Sequence, residues 1–79
     1  MKKIINIEEI EIGNHGLVIE KGFNRGLLLP QVAVEQKWSR EDFLDHTCIK
    51  AGLSPHVWKE NDPDLYIFSA DIFSEQHSF

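Results

Sequence analysis

The stretch Arg25-Gly26-Leu27-Leu28-Leu29-Pro30-Gln31-Val32-Ala33-Val34-Glu35 decides the fold, because an apolar strand stops at a proline and turns directly into a polar-edged helix. Three consecutive leucines leave no solvated face, so a strand there expects cover on both sides. In 79 residues such cover uses much of the available apolar material. Pro30 suits the first helical turn, where its missing amide hydrogen costs nothing, and Val32, Ala33 and Val34 continue the helix toward Trp38. Working backward from the leucines, Gly22-Phe23-Asn24-Arg25-Gly26 reads as a turn, preceded by a strand from Leu17 to Lys21 with Leu17 and Ile19 on one side. Gly13-Asn14-His15-Gly16 reads as another turn, and before it Ile7 to Ile12 alternates, Ile10 and Ile12 against Glu9 and Glu11, as a half-solvated strand does. These three strands make an antiparallel meander.

Forward from the leucines, Ser39 with Asp42 three residues on forms a capping-box signal for a second helix running to about Ala51 and closed by Gly52. At about 100° per residue, Phe43, Leu44, Thr47, Cys48 and Ala51 fall within one arc of roughly 140°, which predicts the face turned to the sheet. Ser54-Pro55 repeats the cap-and-proline signal for a brief turn carrying Val57 and Trp58, broken by Asn61-Asp62-Pro63-Asp64. Leu65 to Phe73 closes the chain as a strand with Tyr66, Phe68, Ala70 and Ile72 on one face and Leu65 and Ile67 on the other. The tail from Glu75 to Phe79 reads as frayed. Strands, then helices, then a strand predict an α+β fold: an antiparallel sheet, a three-stranded meander plus a C-terminal strand, with two or three short helices packed on one face.

Composition narrows the functional classes. The apolar fraction of 42% with five Phe, two Trp and one Tyr fits a single folded domain over residues 1–79. A net charge of -5 repels phosphate backbones and anionic lipid, so nucleic acid and membrane surfaces are disfavoured partners. The single cysteine, Cys48, excludes an internal disulfide, and no stretch resembles an export signal or a spanning segment; Lys2 and Lys3 before Ile4-Ile5 are cut short by Asn6 and Glu8-Glu9. A cytoplasmic setting is expected.

Three spaced segments resemble the AMMECR domain family, whose bacterial and archaeal members are called AmmeMemoRadiSam system protein A after neighbours resembling Memo and radical SAM proteins. They are Ile10-Glu11-Ile12-Gly13-Asn14-His15-Gly16-Leu17, Leu27 to Gln36 followed by Trp38, and Phe43-Leu44-Asp45-His46-Thr47-Cys48-Ile49-Lys50-Ala51-Gly52-Leu53. The likeness runs from about Ile7 to Glu75. The family's domain is much longer and carries a Leu-Arg-Gly-Cys-Ile-Gly motif ahead of these segments, which this sequence does not contain. The resemblance therefore implies the C-terminal portion of an AMMECR-type domain, and a fold rather than a reaction.

Candidate site residues are few. His15 in its glycine-flanked turn would place an imidazole that titrates near neutrality at a ligand, and the bland alternative is a turn histidine bonding its own backbone. Gln31 and Glu35, one helical turn apart after the leucine strand, would line a cleft toward the missing part of the domain, or simply form a polar face. Cys48 falls in the apolar arc and reads as core. Asp42 and His46 stand four apart on the solvated side, but His46 and Cys48 lie about 200° apart around the helix, and His56 and His77 have no ligand spacing to either, so no metal site and no cofactor is expected. The glycine pairs lie between strands rather than before a helix, and Ser39, Ser54, Ser69 and Ser74 form no nucleophile elbow. Ile49, stranded on a polar face, suggests contact with another surface.

No catalytic residue is assigned, and enzyme activity is not expected of this chain alone. The favoured expectation is a non-catalytic binding or accessory module acting with a protein partner or with the missing N-terminal part. One alternative is the C-terminal part of an enzyme whose cleft that part completes, and another a nucleic-acid-associated regulator, against which the charge argues. Uncovered leucine and Tyr66-Ile67-Phe68 strands would equally be protected in a homodimer.

Overall fold

The computed structural model describes residues 1–69, so the expected outer part of the last strand from Ala70 to Phe73, and the tail, lie outside the described residues. Four strands form one antiparallel sheet: β1 at Lys2–Ile4, β2 at His15–Lys21, β3 at Asn24–Leu28 and β4 at Asp64–Ser69. Helix α1 spans Pro30–Gln36 and α2 spans Arg40–Lys50. The strand order is β1-β4-β2-β3, with the C-terminal strand between the first two. The α+β class, the antiparallel sheet and the short helices are as the sequence predicts.

The first strand lies elsewhere than expected. Residues Ile7–Glu9 form a single 3-10 turn, because the Asn6 side chain accepts from the Glu8 amide at 3.0 Å and the Asn6 and Ile7 carbonyls accept from Glu9 and Ile10. Local bonding takes up the Glu8, Glu9 and Ile10 amides that a strand ladder would draw on, and a short run with Ile7 and Ile10 three apart fits a tight turn as well as an alternation. Lys2–Ile4 supplies the strand instead, with Ile4 opposite Leu65. The three-stranded meander therefore contains β2 and β3 as neighbours but not the Ile7–Ile12 segment.

The leucine stretch also divides differently. Strand β3 begins at Asn24, joined to β2 by a two-residue loop whose first member, Gly22, has φ +61°, the position that a type II′ hairpin gives to glycine. Gly26 is thus mid-strand rather than in a turn. The reason is proximity: a methyl group there would stand 2.6 Å from the Ala51 amide nitrogen and 2.8 Å from the Thr47 carbonyl oxygen. Glycine lets α2 lie directly on the sheet. Leu29 has left the ladder and caps α1, so only Leu27 and Leu28 are strand residues, on opposite faces.

Both helices end as their sequences dictate. The Ser39 hydroxyl accepts from the Asp42 amide at 3.2 Å and the Asp42 carboxylate accepts from the Ser39 amide at 3.3 Å, a reciprocal cap. Gly52 closes α2 at φ +79° while Leu53 bonds back to the Cys48 carbonyl. Lys37 ends α1 in the left-handed region at φ 59°, with Trp38 donating to the Ala33 carbonyl at 2.9 Å. The core consists of Ile4, Ile10, Leu17, Ile19, Ala33, Phe43, Leu44, Cys48, Ala51, Val57, Leu65 and Ile67, so the predicted arc of α2 is its inner face. Among the described residues no helix is long and apolar enough to cross a membrane.

Candidate functional site

The register assigns every sheet residue to a face. On one face Leu17 stands beside Leu28 and Ile67, and Ile19 beside Gly26 and Leu65, all beneath α1 and α2. The opposite face carries a row Leu27, Val18, Tyr66, Lys3 across all four strands, with Gly16 and Phe68 beside it. The Phe68 ring covers Gly16 so closely that a methyl group there would overlap its edge. This aromatic cover replaces a missing side chain. Val18 is fully buried yet stands outside the main core, Tyr66 and Phe68 are half-buried, and Leu27 is 42% exposed. A charged row borders this apolar patch: Arg25 pairs with Glu20 at 3.1 Å and Lys3 with Asp64 at 3.1 Å. The Asp64 hydrogen bond holds the Lys3 ammonium above its usual range. No helix among the described residues packs on this second face; the helix contacts to the sheet are those of the core side.

The expected site residues are placed as follows. His15 begins β2, half-buried, and its Nδ1 accepts from the Glu11 amide at 3.0 Å, while Glu11 also receives the Asn14 side chain at 2.8 Å. An accepting Nδ1 leaves the proton on Nε2. With Lys2, Ile67 and Ser69 the ring lines an open depression of about 320 Å³. Gln31 and Glu35 lie on the exposed side of α1, and their side chains make no hydrogen bond or ion pair among the described residues. The turn that precedes His15 does meet α1, since a methyl group on Gly13 would stand 3.4 Å from Val34 Cγ2, and the expected Gly13–Gly16 turn ends at Asn14 because His15 and Gly16 pair with Ser69 and Phe68 in the sheet. Gln31 and Glu35 are nevertheless not walls of the His15 depression.

The cysteine sits in the core, where burial pushes its thiol pKa up against the opposing pull of the Trp58 amide. Two polar arrangements lie outside the expectations. Asp45 accepts the Trp58 indole hydrogen at 2.6 Å and stands 3.4 Å from His56 Nδ1, pinning the chain after α2 to that helix. His46 donates from Nδ1 to the Asp42 carbonyl at 2.9 Å and stacks on Trp38 at 4.0 Å. Asp42 and His46 were legible as a pair four apart, but nothing in the spacing signalled the indoles that complete both arrangements. A smaller hollow of about 220 Å³ beside Ile4, Trp58 and Pro63 is rimmed by Glu60 and Asp64, each already tied to a lysine. Among the described residues no three His, Cys, Asp or Glu side chains converge on a point that would hold a metal ion.

Comparison with known proteins agrees with this geometry. The AMMECR1 family model matches residues 1–73. The chain belongs to the AMMECR1 family. A protein from Aquifex aeolicus is 53% identical over 72 residues, which are 91% of this chain and 37% of that protein. One from Methanocaldococcus jannaschii is 54% identical over 69 residues, 87% of this chain and 34% of its own length. The crystal structure of the uncharacterized protein PH0010 from Pyrococcus horikoshii superposes with a TM-score of 0.83 at 44% identity, over 86% of this chain and 36% of that one. The chain thus spans about a third of the length of the AMMECR1-family proteins it matches.

Proposed function

We propose that this chain is a non-catalytic binding module of the AMMECR type that works by docking on partner protein. The observation that carries this reading is the second sheet face, where Leu27 is exposed beside half-buried Tyr66 and Phe68 and no described helix lies over them. Unpartnered apolar patches rimmed by charge are the usual mark of an interaction surface. The His15 ring supports the same reading, because its Nδ1 is engaged in ordering its own turn. A photoreactive side chain placed at position 27 tests it in cells. Defined protein adducts at position 27, exceeding those from the same group at position 50, are the expected result; equal labelling at the two positions contradicts it.

A second reading rests on one observation, the depression beside His15. In an enzyme completed by further chain, Nε2 of His15 would donate to a ligand seated there. His15→Gln would then abolish ligand binding in the completed domain, whereas the docking reading expects that substitution to leave partner binding unchanged.

A further inference from the structure

We infer that residues 54–60, which follow α2, are a strap that lifts as a unit from the folded chain and uncovers Cys48, with Asp45 as its latch. The segment packs on the core side of the sheet through Val57 and Trp58, and contains a single 3-10 turn at Val57–Lys59. Its backbone hydrogen bonds close on itself: Val57 donates to Ser54 at 3.2 Å, Lys59 to His56 at 3.0 Å and Glu60 to Val57 at 2.9 Å. Among the described residues no backbone hydrogen bond joins it to the sheet or to α2. It can therefore part from both without breaking a ladder or a helical turn. The Lys59 ammonium lies 5.4 Å over the Trp58 ring, one more contact kept inside the segment as it moves. Val57 alone of these residues is buried and Trp58 is half-buried, so little apolar surface holds the strap down.

Side chains hold it instead. The Asp45 carboxylate on α2 accepts from Trp58 Nε1 at 2.6 Å and stands 3.4 Å from His56 Nδ1, so one group restrains two strap residues. At the far end Glu60 meets the Lys21 ammonium at 2.9 Å, an exposed pair that adds little. The short bond from the indole to a carboxylate is the stronger of the two ties. Both flanks are fixed independently of the strap: Leu53 donates to the Cys48 carbonyl at 2.9 Å, and Asp64 pairs with Glu20 where β4 begins. Between those fixed ends the Val57 and Trp58 amides are turned on the Cys48 sulfur, and the thiol has no exposure while they stay there. Trp58 also walls the hollow beside Ile4 and Pro63, so the same movement opens that hollow.

The test is alkylation of Cys48 by iodoacetamide in the 79-residue chain, beside amide exchange of Leu17 and Ile19 in β2, both across low urea and with closing faster than reaction. The opening constant from Cys48 should exceed that from β2 by about tenfold or more and change little with urea, because a lifted strap exposes little surface. Trp58→Phe keeps the ring and removes the indole hydrogen, and should raise the Cys48 constant by about tenfold. Ile67→Val, a core change outside the strap, should raise the β2 constant by about threefold or more yet leave the Cys48 constant within about twofold. Equal constants and equal urea slopes at Cys48 and β2 would mean that the thiol is reached only by global unfolding, which overturns the strap. So would an Ile67→Val effect of the same size at both sites. A fast Cys48 reaction that Trp58→Phe leaves within about twofold overturns Asp45 as the latch.

Discussion

The two faces of one sheet behave as different objects. The face under α1 and α2 is closed by this chain: Phe43, Leu44, Thr47 and Cys48 come down on Leu17, Ile19 and Ile67, and Thr47 satisfies its hydroxyl on the Phe43 carbonyl at 2.7 Å. Arg40 ties the start of α2 to the Ile10 carbonyl at 2.8 Å, and Asn24 ties the hairpin to the Ala51 carbonyl at 2.9 Å, so the closure is held at both ends of the helix. The second face has apolar side chains of similar kind and only paired charges around them. In so small a chain, then, the helical packing that holds the fold falls on one face of the sheet, and no described helix covers the other.

The largest expected effect tests the closed face. Phe43→Ala should cost about 3–5 kcal/mol, a large part of the stability available to a domain of this size, and urea unfolding followed by circular dichroism measures it. The two glycines sharpen the contrast next. Gly26→Ala meets helix backbone and should cost about 1–3 kcal/mol, whereas Gly16→Ala meets the end of the Phe68 ring, which can swing outward, and should cost less than Gly26→Ala in the same thermal melts. If Gly16→Ala is the worse of the two, the second face is as tightly closed as the first.

The buried thiol gives a pH signature of the closed face. The Cys48 pKa is raised by burial, so folding favours the neutral thiol; this stabilisation is complete below the unfolded value of about 8.5 and is lost as pH rises through the folded value. Alkaline destabilisation should therefore shrink in Cys48→Ala, and a thiol reagent should react only as fast as the chain opens. The smallest effects belong to the surface. Leu27→Lys should change the stability of the isolated chain by no more than about 0.5 kcal/mol in urea. At Glu9 the Lys2 hydrogen bond lowers the pKa, so that pair contributes above the unfolded value of about 4.3 and is lost as pH falls through the folded one. Glu9→Gln should flatten that part of the acid unfolding curve.

How much of this was legible in the sequence differs by element. Helix α2 was readable throughout, because its cap residues, apolar arc and terminal glycine all specify the same helix. Pro30 marked the start of α1 for the same reason. The Ile7–Ile12 segment was misplaced because alternation and a three-residue spacing coincide there, and the deciding Asn6 cap acts through one hydrogen bond that no periodicity reveals. Gly26 looked like a turn because the backbone of α2 that requires it is some 20–25 residues away in sequence. Among the candidate residues, His15 was singled out by its glycine setting, and its ring bonds the Glu11 amide, as the bland reading of a histidine bonding nearby backbone expects. Tyr66 and Phe68 were recognised as sharing a face, but their partners Val18 and Leu27 follow only from the register.

That the described helices cover Leu28 on one face of the sheet and leave Leu27 on the other exposed is tested most directly by paramagnetic broadening of methyl signals with a soluble gadolinium chelate at low protein concentration. The account predicts strong broadening at Leu27 and little at Leu17, Ile19 or Leu28, although Leu27 and Leu28 are neighbours in the chain. Equal protection of Leu27 and Leu28 would contradict it.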